Sequence, residues 1–223
     1  MPTPAPTIDN AAARRNMVES QLRPNKVNDA GVIAAMAAVP RELFVPPLAA
    51  GNAYLDENLP LSQGRYMMEP MVLARLVQAL ALQPSDKVLV VGAGSGYGAA
   101  TIAHLAGDVT ALESDGSLAR TARGNLLALG CRQAKVVEGP LEAGHAAGAP
   151  YDAILIEGAV EFVPDALLRQ LGPDGRIATV VRRSGVGKAV LIGAPDGIVA
   201  ERVLFDAATP LLPGFRTPAR FVF

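Results

Sequence analysis

Three alternating glycines follow a short apolar run in Lys87-Val-Leu-Val-Val91 and Gly92-Ala-Gly-Ser-Gly96. Glycine takes the sharp turns such a loop needs and lets the backbone approach a ligand closely, and a helix opening behind it leaves amide donors free. Gly92, Ala93, Gly94, Ser95 and Gly96 are therefore candidate cofactor contacts. Glu113 ends the next apolar run, 21 residues after Gly92, where a carboxylate can accept hydrogen bonds from both hydroxyls of a ribose. Strand, glycine loop, helix, strand and acid in that order point to a nucleotide-like cofactor. A nicotinamide dinucleotide site wants its third glycine where Tyr97 stands. The G-x-G-x-G form fits S-adenosylmethionine better.

Other residue types offer weaker chemistry. Glu157 ends the fourth predicted strand, at the carboxyl edge where ligands of doubly wound sheets gather. It is either a site residue or a solvated strand-end acid. Met67 and Met68 are either adaptable pocket lining or plain core. Arg182 and Arg183 follow the fifth strand and could attract a carboxylate, although a surface charge pair is the commoner arrangement. His104 and His145 stand alone and read as structural or solvent-facing. The single Cys131 has no neighbours at metal-ligand spacing, so it reads as a buried apolar residue in a reducing compartment, and no metal site is expected.

The elements that must position these residues follow from period and punctuation. Helical spacing over Ile8 to Leu22 stops at Pro24. Asn28 looks like the cap of a second helix over Asp29 to Val39, and Gly51 to Arg65 has loop chemistry. A helix from Pro70 to Leu82 precedes an alternation of buried strands and helices. Strands are expected at Lys87–Val91, Asp108–Glu113, Ala134–Glu138, Ala153–Ile156 and Arg176–Val181, and helices at Ala99–Ala106, Ser117–Leu129 and after Pro164. Such alternation implies parallel pairing with helices on both faces. Lys188 to Ile192, the turn Pro195-Asp-Gly197 and Ile198 to Phe205 then read as an antiparallel hairpin. The expected fold is α/β: a doubly wound, mostly parallel, Rossmann-like sheet with antiparallel C-terminal strands and an N-terminal helical extension. Residues 1–7, with three prolines, read as a flexible leader, and 8–223 as a single domain with an N-terminal part (8–69) and a cofactor-binding core (70–223).

Composition excludes several classes. In 223 residues, 20 Lys and Arg against 21 Asp and Glu leave a net charge of −1, with no basic cluster of the kind nucleic acid requires. Half the residues are hydrophobic and the mean hydropathy is +0.27. Yet charge, Gly or Pro interrupts every apolar stretch before the ~20 residues of a membrane span. No nucleic-acid or membrane partner is expected, and the localisation expected is cytoplasmic. Nothing bears on oligomeric state.

Several stretches resemble the protein-L-isoaspartate O-methyltransferase family: Met17 to Leu22, Val39 to Val45, Ala53 to Glu57, Leu59-Pro-Leu61, Pro70 to Ala74, Val91 to Tyr97, Pro150 to Ile154 and Arg220-Phe-Val222. The resemblance implies a class I methyltransferase fold, S-adenosylmethionine as cofactor, and transfer of its methyl group to the α-carboxylate of an isoaspartyl residue in a protein or peptide. It also implies that Gly92, Gly94 and Gly96 face the methionine part of the cofactor, Glu113 its ribose, and Gly139, Pro140 and Leu141 its adenine. Met68 and Glu69 begin the segment that covers the substrate, so Met68, Glu69 and Glu157 are the weak catalytic candidates. Three positions depart from the family: Val90 replaces an acid, Pro140 an Asp and Met68 a Ser. Methyl transfer to a carboxylate needs proximity and in-line orientation more than proton transfer. The lack of a His or Cys constellation is therefore neutral. Two readings stay open: an isoaspartyl methyltransferase, or a relative that keeps the fold and binds a ligand or partner without transferring a methyl group.

Overall fold

Asp9 opens the first helix, its carboxylate accepting from the Ala12 N–H at 2.9 Å, as an N-cap does. The structure, a computed structural model, describes residues 9–62, 64–183, 185–193 and 199–217. The leader, the expected turn Pro195-Asp-Gly197 and Arg220-Phe-Val222 lie outside the described residues. Helix α1 (Asn10–Met17) runs on into a π-turn, Val18–Leu22. In α2 (Ala30–Ala38) the cap is Asp29 rather than Asn28: Asp29 accepts from Val32 N–H. The Asn28 and Asp29 N–H groups are both held by Gln78 Oε1, at 2.8 and 2.9 Å.

Two 3-10 turns, Arg41–Phe44 and Pro47–Asn52, lead into the first departure from expectation. The stretch read as a loop contains an antiparallel hairpin of β1 (Leu59–Ser62) and β2 (Arg65–Met67). Leu59, Arg65 and Met67 are buried while Pro60 and Tyr66 face out. This is the alternation a strand requires, in strands too short to show it by composition.

Helix α3 (Pro70–Leu80) starts with proline in its first turn and ends on Ala81, whose φ is 47°. Next come β3 (Lys87–Val91), α4 (Tyr97–Ile102), β4 (Asp108–Glu113), α5 (Gly116–Ala128) and β5 (Ala134–Glu138). They are followed by β6 (Tyr151–Val160), the single-turn α6 (Asp165–Leu168), β7 (Leu171–Arg183), β8 (Val186–Gly193) and β9 (Ala200–Asp206). The last seven strands form one sheet in the order β5-β4-β3-β6-β7-β8-β9. It is parallel through β7 and antiparallel beyond. Helix α4 is shorter than expected, which leaves His104 exposed in the turn after it.

Strand β3 shows why the sheet is doubly covered. Val88 and Val90 enter the core shared with α2 and α3, whereas Leu89 and Val91 enter the core on the opposite face. With both faces buried, the strand reads as a continuous apolar run. Val91 pairs with Leu112 of β4 and Ile156 of β6, and Glu113 with Glu138 of β5. The carboxyl ends of β3, β4 and β5 thus meet beside Ile156 of β6, under the hairpin.

Candidate cofactor and active site

The glycine loop has the backbone its sequence suggests. Gly92, Gly94 and Gly96 have φ of 76°, 57° and 98°, left-handed values that an L side chain adopts only under strain. The N–H groups of Gly92 and Ala93 both donate to Leu112 O, at 2.9 and 3.1 Å, which ties the loop to β4. Ser95 turns away: its hydroxyl bonds to Phe44 O, and its carbonyl accepts from Asn125.

Glu113 ends β4, where the sequence places it. Its side chain is fully buried. Oε2 accepts from Gly94 N–H at 2.7 Å, and Oε1 accepts from the N–H groups of Ser114 and Asp115 at 2.8 and 2.9 Å. Oε1 also forms an ion pair with Arg65 Nη1, while Arg65 Nη2 donates to Gly92 O at 2.9 Å. Burying a carboxylate is unfavourable unless charge and hydrogen bonds compensate it, and Arg65 with the three amides does so. Leu61 Cδ1 lies 2.8 Å from the point a Cβ on Gly94 would occupy, and Leu212 lies 3.2 Å from that of Gly92. The hairpin and Leu212 therefore cover the face of the loop that the glycines leave open.

Glu157 is not a solvated strand end. Strand β6 continues three residues past it, through a register shift between Leu155 and Ala159, and the side chain is buried. Its Oε1 has no hydrogen-bond partner. A Cβ on Gly98 would overlap that oxygen, so only glycine admits the carboxyl group here. Burial pushes its pKa up to about 8; Arg65 and Arg41 oppose the shift and Glu113 adds to it. With Tyr66, Met68, Thr209 and Leu212, Glu157 lines a cavity of about 10 Å³, about the size of one water molecule.

Met68 is buried against that cavity, and its carbonyl accepts from Arg41 Nη2. Glu69 is half-buried, its pKa raised to about 7 by burial and by Asp56. Gly139 donates to the Glu113 carbonyl at 3.2 Å. Pro140 is exposed beside it, and Leu141 is a core residue of the second apolar cluster. Val90 is likewise pure core. The two arginines fall inside β7, as its last two residues, and do not converge on the site. Arg183 makes a two-pronged pair with Glu201, both contacts at 2.7 Å. Arg182 lines a cavity of about 650 Å³ beside Val186 and Asp206, which no glycine-loop residue lines. His145 lies off the loop, half-buried, its N–H held by Gln170. Among the described residues no group of His, Cys, Asp and Glu could hold a metal ion.

Sequence reasoning gave no role to Arg41 or Arg65. Arg41 is fully buried, stacked over Tyr97 at 4.8 Å and bonded to Ala53 O, and burial lowers its pKa. An arginine inside a hydrophobic stretch such as Val39 to Val45 was the available signal, since that residue is almost never buried without a partner. Arg65 gave no such signal, lying beside Gly64 in a polar segment.

Between Val91 and Glu113 the donor set suits S-adenosylmethionine: a cradle that only glycines can form, and a buried carboxylate beside it. A further cavity, of about 300 Å³, includes Leu61, Ser62, Ser95 and Ser117 in its wall.

Residues 13–194 match the family model described as Protein-L-isoaspartate(D-aspartate) O-methyltransferase. A protein-L-isoaspartate O-methyltransferase of Methylorubrum extorquens is 44% identical over 180 residues, covering 81% of this chain and 78% of the relative. That of Methanoregula boonei is 41% identical over 181 residues, covering 81% and 82%. Among solved structures, a protein-L-isoaspartate O-methyltransferase superposes with a TM-score of 0.78 at 24% identity, over 90% of this chain and 66% of its own. A Plasmodium falciparum structure described as such an enzyme with S-adenosyl-L-homocysteine gives 0.76 at 19%, over 89% and 97%. These two likenesses bear on the fold alone.

Proposed function

Because the chain belongs to the protein-L-isoaspartate(D-aspartate) O-methyltransferase family, we propose that it transfers the methyl group of S-adenosylmethionine to the carboxylate of isoaspartyl residues in proteins or peptides. The observation that carries this reading is the buried Glu113 carboxylate against a loop whose three glycines all have positive φ. Residues 8–223 act in this reading as one catalytic unit. It works in the cytoplasm, which fits a lone buried Cys131 and the lack, among the described residues, of any helix long and apolar enough to cross a membrane.

The chain's own part is binding, orientation and exclusion of water. When bound, S-adenosylmethionine supplies an electrophilic methyl group on a sulfonium whose sulfur keeps the electron pair of the broken bond. Glu113 holds the ribose hydroxyls, and Gly92, Gly94 and Gly96 let the backbone close on the ligand. Gly139 and Pro140, beside Glu113 at the end of β5, border the adenine. Met68 and Tyr66 wall the side on which the acceptor carboxylate arrives. No residue need move a proton, since the acceptor is already ionised. Opening the cradle requires the Arg65 guanidinium and Leu61 to withdraw with the hairpin.

That closure favours a second reading, a relative that keeps the fold and has lost methyl transfer. Calorimetric titration with S-adenosylmethionine separates the two. Micromolar binding that is lost in Gly94→Val supports the enzyme. No heat and no thermal shift at millimolar ligand supports the second reading.

A further inference from the structure

We propose that Glu157 supplies the carboxylate that receives the cationic methionine end of the cofactor, an inference that rests on the cofactor reading above. S-adenosylmethionine carries a positive sulfur and an ammonium beside its ribose. Whatever site holds the ribose on Glu113 must set a negative charge or several carbonyls within reach of those cations, because an unpaired cation in an apolar site is strongly disfavoured.

Among the described acids, one is buried with a carboxylate oxygen that has no partner. Glu113 already accepts from three backbone amides and, in the reading above, serves the ribose hydroxyls. Glu138 faces outward and pairs with Arg123, and Glu161 accepts from Thr217 N–H. Val90 of β3 offers nothing polar. Glu157 is different on each count. It is buried, and its Oε1 has no partner. It follows Ile156, the strand partner of Val91, so it stands next to the first glycine of the loop.

Native structures rarely leave a buried polar atom unpaired, and one that stands so marks a strained or functional position or the place of an ordered water or ion. Gly98 has no Cβ to exclude this carboxyl group, so the chain makes room for it. The guanidinium of Arg65 acts on Glu157 and Glu113 together. Its positive charge already lies within the field of both acids, as the cofactor's cations will.

The test uses two ligands that share the adenosyl group. 5′-Methylthioadenosine keeps the ribose, adenine and a neutral sulfur and lacks the amino-acid end. By calorimetry, Glu157→Gln should weaken S-adenosylmethionine about tenfold or more, the loss expected of a hydrogen bond to a charged group. It should leave 5′-methylthioadenosine within twofold, about the precision of the comparison. Glu157→Asp, which keeps the charge, should retain more S-adenosylmethionine affinity than Gln. The melting temperature without ligand should stay level or rise in Glu157→Gln, because the amide is neutral at any pH whereas the buried acid must take up a proton to be so.

Unchanged S-adenosylmethionine affinity in Glu157→Gln overturns the proposal. So does a parallel loss of both ligands with a lower melting temperature, which is the mark of a structural residue. A wild type that binds 5′-methylthioadenosine but not S-adenosylmethionine also overturns it while leaving the adenosyl site intact. A wild type that binds neither removes the cofactor reading and this inference together.

Discussion

Arg65 on β2 and Glu113 at the end of β4 form an ion pair in which both side chains are almost wholly withdrawn from solvent, 3% and 0% exposed. The pair joins the hairpin to the sheet at the point where the glycine loop leaves β3. Attraction inside a protein offsets the desolvation of both charges only when the remaining hydrogen-bonding capacity is also used. Here Gly92 O and three amides use most of it, although Arg65 Nε has no partner. One carboxylate therefore anchors the hairpin to the sheet and, in the proposed reading, also accepts from the ligand.

Replacing Glu113 by Gln removes the charge from both roles. Leaving one member of a buried pair uncompensated costs about 3 to 5 kcal/mol. We expect Glu113→Gln to lower the unfolding free energy by about 3 kcal/mol in urea denaturation and to abolish S-adenosylmethionine binding by calorimetry. Wild-type stability in this variant would show that the pair contributes nothing to the fold.

Changing Arg65 to Gln has the opposite signature with ligand. Without it the fold should be less stable, since two buried carboxyl groups lose their cation. The rise in melting temperature on adding saturating S-adenosylmethionine should then exceed that of wild type, because the ligand brings positive charge and meets no guanidinium. A smaller rise would mean that Arg65 contacts the ligand rather than standing in its place.

The acidity of Glu157 makes a prediction about pH. An unfolded glutamate titrates near 4.5, whereas burial holds Glu157 up to about 8, with Arg65, Arg41 and Glu113 facing it. Between those values the folded chain holds a proton that the unfolded chain has lost. This group's contribution to stability is thus full below pH 4.5 and fades as pH rises to about 8. Denaturation at pH 5 and pH 8 should show Glu157→Gln gaining stability relative to wild type at the higher pH. An equal difference at both would indicate an ordinary pKa.

Two helical glycines should respond oppositely to alanine. On α5, Gly124 has nothing within 4 Å of a new Cβ, so Gly124→Ala should stabilise by about 0.5 to 1 kcal/mol through helix propensity and a stiffer unfolded chain. In Gly98→Ala the methyl group meets the Glu157 carboxyl group. That variant should lose stability and S-adenosylmethionine affinity together. If Gly98→Ala instead matches Gly124→Ala, the packing of Glu157 against α4 is wrong.

Strands β3, β4 and β5 were legible residue for residue, β3 and β4 because the sheet buries or half-buries each along its whole length, and the edge strand β5, despite exposed Lys135 and Glu138, because its apolar residues form one short run. The glycine loop and the position of Glu113 followed from the same regularity. The hairpin did not: β1 carries Pro60 and β2 has three residues, too few for a period to emerge. What Glu113 does depends on Arg65, 48 residues away in sequence, and local pattern carries no such contact. The end of β6 was misplaced because its ladder shifts register around Glu157 and Gly158, so the acid that looked terminal is enclosed.

Methyl transfer itself tests the central claim most directly. The protein is incubated with methyl-labelled S-adenosylmethionine and either of two peptides identical except that one carries isoaspartate where the other carries aspartate. The account predicts base-labile label, the property of a methyl ester, on the isoaspartyl peptide alone, and none with Gly94→Val. Label on neither peptide at millimolar acceptor, or equal label on both, would contradict it.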